Sequence, residues 1–557
     1  MHHYKNHRLT SLTDELGSPG DVREFVLAAI PLARTWASER YGTGLSIDGS
    51  GALAVEGLLN EFDHIKGTME LLRQDEYFHV SPGYADQIGR DFTTLAIFKF
   101  YEHLRCEEID TKGDYIKYRY PGDATYDLAK IVSANDQMFT WETHPLRLDL
   151  GAVFLDEMHD TNWAMFTVLK ELLAVNEGVQ FLGVGDRDQV VHAEHGADSI
   201  FMGDGFDTYI GRPERLRLTE SYRSGREITE PLGQHASKAY LSSRSLSSKT
   251  EVKKTKSAFD VLDLISDALT RRPGLQANSP RSQLAVLLRH PSAAVELEHA
   301  LRGRAIKYEV VDFTTYLERP EVLYVRTLLA LAVGLPDKFS AGIDVIAKRS
   351  TWAFISATSI AAPADLIENA AMVEKTNSFN FFHHVLPDAL AMRKSDLLRS
   401  AVHPTVRTKI QRVIKLASTD DVNCLAEVLD LLDIETMARR VFVRAQEAMD
   451  AKDSVDGLLK AGRSYASITQ FLRSLMSHDY DSHSTRFAGD RIILSSIEAA
   501  KGLEFEHVII PDVDSTNFDD NAPGERNLFY VAASRAKNML TLAYGPGKPS
   551  SFLRPYR

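Results

Sequence analysis

The sequence predicts an α/β protein built on parallel strands, with a large helical insertion in its second half. Three features carry that expectation. Short runs that are apolar along their whole length recur through the chain, and unbroken apolarity suits parallel strands covered by helices on both faces. Each run passes through a loop into a stretch of helical period, the order of a βαβ unit. From about residue 340 to 485 the strand-like runs stop and helical periodicity replaces them.

In chain order the candidate strands are "GAVFLDE" (151–157), "VQFLGVGD" (179–186), "SQLAVLLRH" (282–290), "DRIILSS" (490–496), "EHVIIPDV" (506–513) and "NMLTLAY" (538–544). The stretch "SKAYLSSRSLSSKTEVKKTKSA" (237–258) reads as a linker, because its small polar residues cannot build a core. At 557 residues the chain exceeds one hydrophobic core and divides into several domains.

Composition narrows the functional classes. With 44% hydrophobic and 25% charged residues the chain has the make-up of a soluble globular protein. Its net charge of -13 provides no global basic surface, so contact with nucleic acid must rest on a local patch. Cys106 and Cys424 are too few for a disulfide framework or a thiolate zinc centre, and they fit a reducing, cytoplasmic setting. The start, "MHHYKNHRLTSLTDELGSPGD", has no apolar core of signal-peptide type. The longest apolar run, "LLALAVGL" near 328–335, falls far short of the ~20 residues that span a bilayer, so no membrane partner is expected.

Five stretches carry candidate chemistry. "GAVFLDEMHD" puts Asp156 and Glu157 at the carboxyl end of a strand, the edge where doubly wound sheets bind ligands. Such a pair can divide its labour, one carboxylate on Mg²⁺ and the other polarising water; a solvated acidic turn is the plain alternative. After the next strand, Gln189 can hydrogen-bond a terminal phosphate or its attacking water, while Asp186 suits a helix cap. In "RLRLTESYRSGREI", Tyr222 can stack a base and Arg223 can fork onto phosphate, although a surface arginine is the commoner fact. In "GERNLFYVAASRAKNML", Leu528, Val531, Ala532 and Arg535 share one helical face. Arg535 therefore needs an anionic partner, either a nucleotide phosphate or a structural carboxylate. "ILSSIEAAKGLEFEHVIIPDV" offers Glu504 to a ribose hydroxyl, or simply a polar glycine turn.

In order, "FLDEMHD", "GVGDRDQVVH", "TESYRS", "SSIEAAKGLEF" and "ERNLFYVAASRAK" resemble motifs II to VI of the UvrD/Rep/PcrA-type superfamily 1 DNA helicases. The resemblance implies two RecA-like P-loop-type motor domains with α-helical insertions. Residues 1–236 form the first, with a short helical insertion near 100–148, and 237–258 the linker. Residues 259–339 and 486–557 form the second, interrupted at 340–485 by a helical block where the family carries its 2B subdomain. It also implies ATP and Mg²⁺ as cofactors and DNA, single-stranded, as partner. Asp156 falls at the metal position, Glu157 at the water-activating one, and Gln189, Arg223 and Arg535 at the γ-phosphate. Tyr222 falls at base stacking and Glu504 at the ribose.

The same frame places "YFHVSPGYADQIGRDF" (77–92) at motif Ia and "DGSGAL" at Walker A. Gly49, Ser50 and Gly51 match the glycine pattern of that phosphate loop, but Ala52 stands where the lysine belongs and Leu53 where the metal-binding Ser or Thr belongs. No other stretch of the chain supplies the Walker A pattern. In motif III the family reads "IYRWRGAD" where this chain reads "VVHAEHGAD", so Glu194 replaces a base-stacking aromatic with a negative charge. In motif V, Glu498 and Ser496 stand at the family's His and Thr. Two functions remain open: an ATP-dependent 3′ to 5′ DNA translocase or helicase with an unorthodox motif I, or an inactive pseudo-helicase that binds DNA, a nucleotide or a protein partner.

Overall fold

The computed structural model describes residues 19–45, 53–71, 80–108, 123–133, 144–243, 247–271, 283–336, 342–357, 363–390, 402–482 and 491–557, with a few isolated positions between them. The chain divides into two compact units, 1–47 with 54–216 and 48–53 with 217–557. Residues 217–236, read from the sequence as the end of the first motor domain, fall in the second unit.

In the first unit, α1 (Pro19–Tyr41), α2 (Val55–Thr68), α3 (Phe92–Arg105) and α4 (Asp123–Ser133) precede a strand–helix–strand element. That element comprises β1 (Ala152–Leu155), α5 (Trp163–Val175) and β2 (Gln180–Gly183). Leu58, Phe62 and Ile65 of α2 are buried. The charges that α3 and α4 take into the interior are matched: Arg105 donates to Glu102 and Asp127, and Lys66 pairs with Asp123.

β1 and β2 pair in parallel, Ala152 against Gln180 through Leu155 against Gly183. Alternation along a strand sends Val153, Leu155 and Phe181 onto Phe166 and Leu169 of α5. On the opposite face Phe154 is 75% and Leu182 54% exposed. Among the described residues, helix packs on one side of this pair.

The second unit contains α6 (Arg226–Ala236), β3 (Lys249–Lys254), α7 (Ala258–Arg271), β4 (Leu284–Leu288), α8 (Ala294–Gly303) and β5 (Tyr308–Val311). After a helical block come β6 (Ile492–Ser496), β7 (Phe505–Ile510), α9 (Glu525–Ser534) and β8 (Ala536–Tyr544). The strands form one parallel sheet in the order β5-β6-β4-β7-β8-β3. β4 lies inside that sheet and every one of its residues is buried, several against Val261 and Ile265 of α7 and Leu297 and Leu301 of α8.

The stretch read as a linker is corrected here. Its "KTEVKK" forms β3, an edge strand paired to β8 from Lys249 with Met539 to Lys254 with Tyr544. An edge strand turns charged side chains to water and blocks further pairing, which is why its composition resembled a linker's. Between Ile343 and Ser482 every described element is helical, and the helices share a core that includes Tyr324, Phe354, Leu458 and Phe471. Among the described residues no helix is long and apolar enough to cross a membrane.

Candidate functional site

In the first unit the candidate carboxylates lie just past the ends of β1 and β2. The ladder continues past the strands, with Val184 N–H donating to the Leu155 carbonyl at 2.8 Å and Met158 N–H to the Val184 carbonyl at 2.8 Å. Residues 156–158 are thereby held beside 184–186. Asp156 and Glu157 are both exposed at the carboxyl end of β1. Asp156 Oδ1 accepts the Glu157 N–H at 2.9 Å, and Glu157 takes the left-handed conformation at φ 51°.

His159, which the motif comparison passed over, connects the two loops. It is only 1% exposed; its Nδ1 accepts the Asp186 N–H at 3.1 Å and its Nε2 lies 3.3 Å from Glu157 Oε2. Asp186 also caps the short turn Arg187–Gln189, accepting from Asp188 N–H and from Gln189 Nε2 at 3.2 Å each. Asp156, Glu157 and Gln189 are therefore brought to one edge, with His159 linking Glu157 to the Asp186 that holds Gln189. The only sequence signal was a histidine two places after Glu157.

Beyond Gln189 the loop turns through Ala193–His195 against α2. The Glu194 carbonyl is 3.0 Å from His64 Nδ1, and the His195 carbonyl accepts from Asn162 Nδ2 at 3.1 Å. A Cβ on Gly67 would sit 2.3 Å from the His195 carbonyl oxygen, so this close approach requires glycine.

The second unit has a cluster of candidate residues of its own. Arg223 Nε donates to Glu504 Oε2 at 3.0 Å and its Nη1 to the Ser534 carbonyl at 3.1 Å. Lys537, another residue the sequence reading missed, pairs with the same Glu504 carboxylate. The Lys537 ammonium, with Arg223 beside it, holds the Glu504 carboxyl below its usual range despite partial burial. Tyr222 is 77% exposed, and its hydroxyl donates to Glu220 at 3.2 Å. Arg535 is 2% exposed. It donates to the Val531 carbonyl at 3.1 Å, the Leu503 carbonyl at 3.3 Å and the Ser534 hydroxyl at 2.8 Å. Arg223, Glu504 and Arg535 thus share one cluster around Ser534. Gly49, Ser50, Gly51 and Ala52 lie outside the described residues.

A sequence profile of the UvrD-like helicase C-terminal domain matches residues 216–546, which begin at the edge of the second unit. The chain belongs to the UvrD-like helicase family. Among curated relatives, this UvrD-like protein is 22% identical over 426 residues to DNA helicase II of Rickettsia typhi, covering 71% of the chain and 60% of the relative. It is 23% identical over 511 residues to ATP-dependent DNA helicase PcrA of Bacillus subtilis, covering 85% and 63%. Over 432 residues it is 23% identical to DNA helicase II of Escherichia coli, covering 70% and 55%. The UvrD-like chain therefore spans less than two thirds of the length of these relatives.

The family implies ATP with Mg²⁺, and within each unit the residues present fit that ligand only in part. The exposed Asp156 carboxylate is the hard oxygen donor that Mg²⁺ takes. At positions 52 and 53 the sequence has Ala and Leu, which carry neither ammonium nor hydroxyl, and in the second unit the Arg535 guanidinium is engaged by backbone and hydroxyl oxygens.

Proposed function

We propose that this UvrD-like protein acts on single-stranded DNA as a scaffold, with ATP turnover lost or strongly reduced. The observation that carries this reading is the pairing of Ala52 and Leu53 at the Walker A position. A lysine on the β and γ phosphates and a hydroxyl on the metal act on the transition state, and loss of one such group costs about 10² to 10³ in rate. Both are replaced here. The exposed Asp156 and Glu157 keep open the competing reading of a working motor, for which the carboxylates would be indispensable.

DNA-stimulated ATPase activity of the chain, measured beside an Asp156→Asn, Glu157→Gln double variant, separates the two. Equal background in both supports the scaffold. Turnover that disappears in the variant overturns it. Affinity for single-stranded DNA is expected to fall as salt rises, because phosphate contacts release counterions. A flat or absent response would point instead to a protein partner.

A further inference from the structure

The motif III loop departs from its family in the three residues His192, Glu194 and His195, and the structure brings their side chains to one point. His192 Nδ1 lies 3.3 Å from Glu194 Oε1, and His195 Nε2 lies 3.7 Å from the same oxygen. No two of the three donor atoms are more than 4.8 Å apart. We propose that His192, Glu194 and His195 form a zinc site with three protein ligands and a fourth position open to water.

Distance supports this. Zinc bonds of about 2.0–2.2 Å to imidazole nitrogen and carboxylate oxygen place tetrahedral ligands about 3.4 Å from one another. Two of the separations are already close to that value, and small side-chain rotations bring the third in. Donor chemistry supports it as well. Two imidazoles with one carboxylate make the set that zinc accepts, whereas Mg²⁺ and Ca²⁺ ask for oxygen throughout.

The backbone is ready in advance. His64 fixes the Glu194 carbonyl and Asn162 fixes the His195 carbonyl, while Gly67 lets the turn lie directly on α2. Anchors of this kind hold ligands in place before the ion arrives. As a plain ion-pair cluster the trio offers little, since all three side chains are partly exposed and such pairs contribute next to nothing to stability. Bound zinc would change the sign of the charge that Glu194 places on this loop. The inference is independent of ATP turnover and of DNA binding.

The test uses the full chain with His2, His3 and His7 changed to alanine, because those three residues alone could capture metal. Zinc is removed with chelator and returned in competition with a chromophoric chelator. One equivalent is expected to bind, and a His192→Gln, His195→Gln double variant to bind at least about tenfold more weakly. Cobalt should give the intense visible bands of a four-coordinate site in the parent and not in the variant. Absence of stoichiometric binding at about 10 µM free zinc would overturn the proposal. So would equal binding by the double variant. If that variant does not fold, X-ray absorption of the zinc-loaded parent decides: imidazole nitrogens in the shell support the site, and a shell of oxygen alone overturns it.

Discussion

Arg535 takes a permanent charge into an interior where most arginines would not go, and it does so with its donors directed at oxygens of the same unit. Removing the guanidinium would delete its hydrogen bonds to the Val531 and Leu503 carbonyls and the Ser534 hydroxyl and leave a gap in the interior. Arg535→Gln is therefore expected to cost about 2–4 kcal/mol, read as a lower urea midpoint with an unchanged m value. A side chain that served a nucleotide alone would leave that midpoint unmoved. His159 is a second buried residue of this kind, since His159→Ala leaves the Asp186 N–H without its acceptor and opens a cavity beneath Glu157. Its expected cost is about 2–3 kcal/mol by the same measurement. The residue types at the site were legible in the sequence because their order matches a family. Their partners were not: nothing in "ASRAK" says that the arginine is met by backbone carbonyls, and nothing in "DEMHD" says that the histidine turns inward.

At the scale of elements, β7 and the turn after it carry two titrations of opposite sign. Burial pushes His507 down to about 4, its Nε2 lying 2.9 Å from Thr541 Oγ1. A base lowered in the fold adds stability above its ordinary value of 6.5 and loses it as pH falls through 4. Asp512 behaves in reverse: burial first, and then the Asp514 charge, raise it from 3.8 to about 6. Its contribution is complete below 3.8 and is lost as pH rises through about 6. Between about pH 4 and 6 the two slopes offset one another. Asp512→Asn removes one of them, and asparagine tolerates the φ of 53° at this position. The variant is expected to gain up to about 3 kcal/mol at pH 7.5 and nothing near pH 4, and to expose a rise in stability across that interval which the parent lacks. Urea titrations at a series of pH values check this; a uniform gain at every pH would contradict it. The six runs were readable as strands because each is apolar along its length, and in β4 that apolarity is matched by burial of every residue. β3 and β5 escaped because edge strands need only a few apolar side chains, and polar composition is also what a linker shows.

For the whole molecule, the two units carry different cores. The second is built on six parallel strands and a helical block with its own large cluster, whereas the strands β1 and β2 of the first pack on α5 by one face and leave Phe154 and Leu182 in water. Among the described residues β1 and β2 bury less apolar side chain than β4, and on that ground the first unit is expected to be the weaker. Chains with separate cores depart from a single all-or-none transition. Calorimetry is therefore expected to resolve two transitions, the lower belonging to the first unit. Phe166→Ala, inside the α5 core, removes about 3–5 kcal/mol and should lower only the first transition. Leu288→Ala, in β4, removes about 2–5 kcal/mol and should lower only the second. The ordered motifs lie at the ends of strands and so carry no information about how completely the sheet behind them is covered. A single transition moved by either substitution would mean that the two cores stabilise one another as one cooperative body, and the separate contributions assigned to α5 and β4 would then have to be replaced by a shared one.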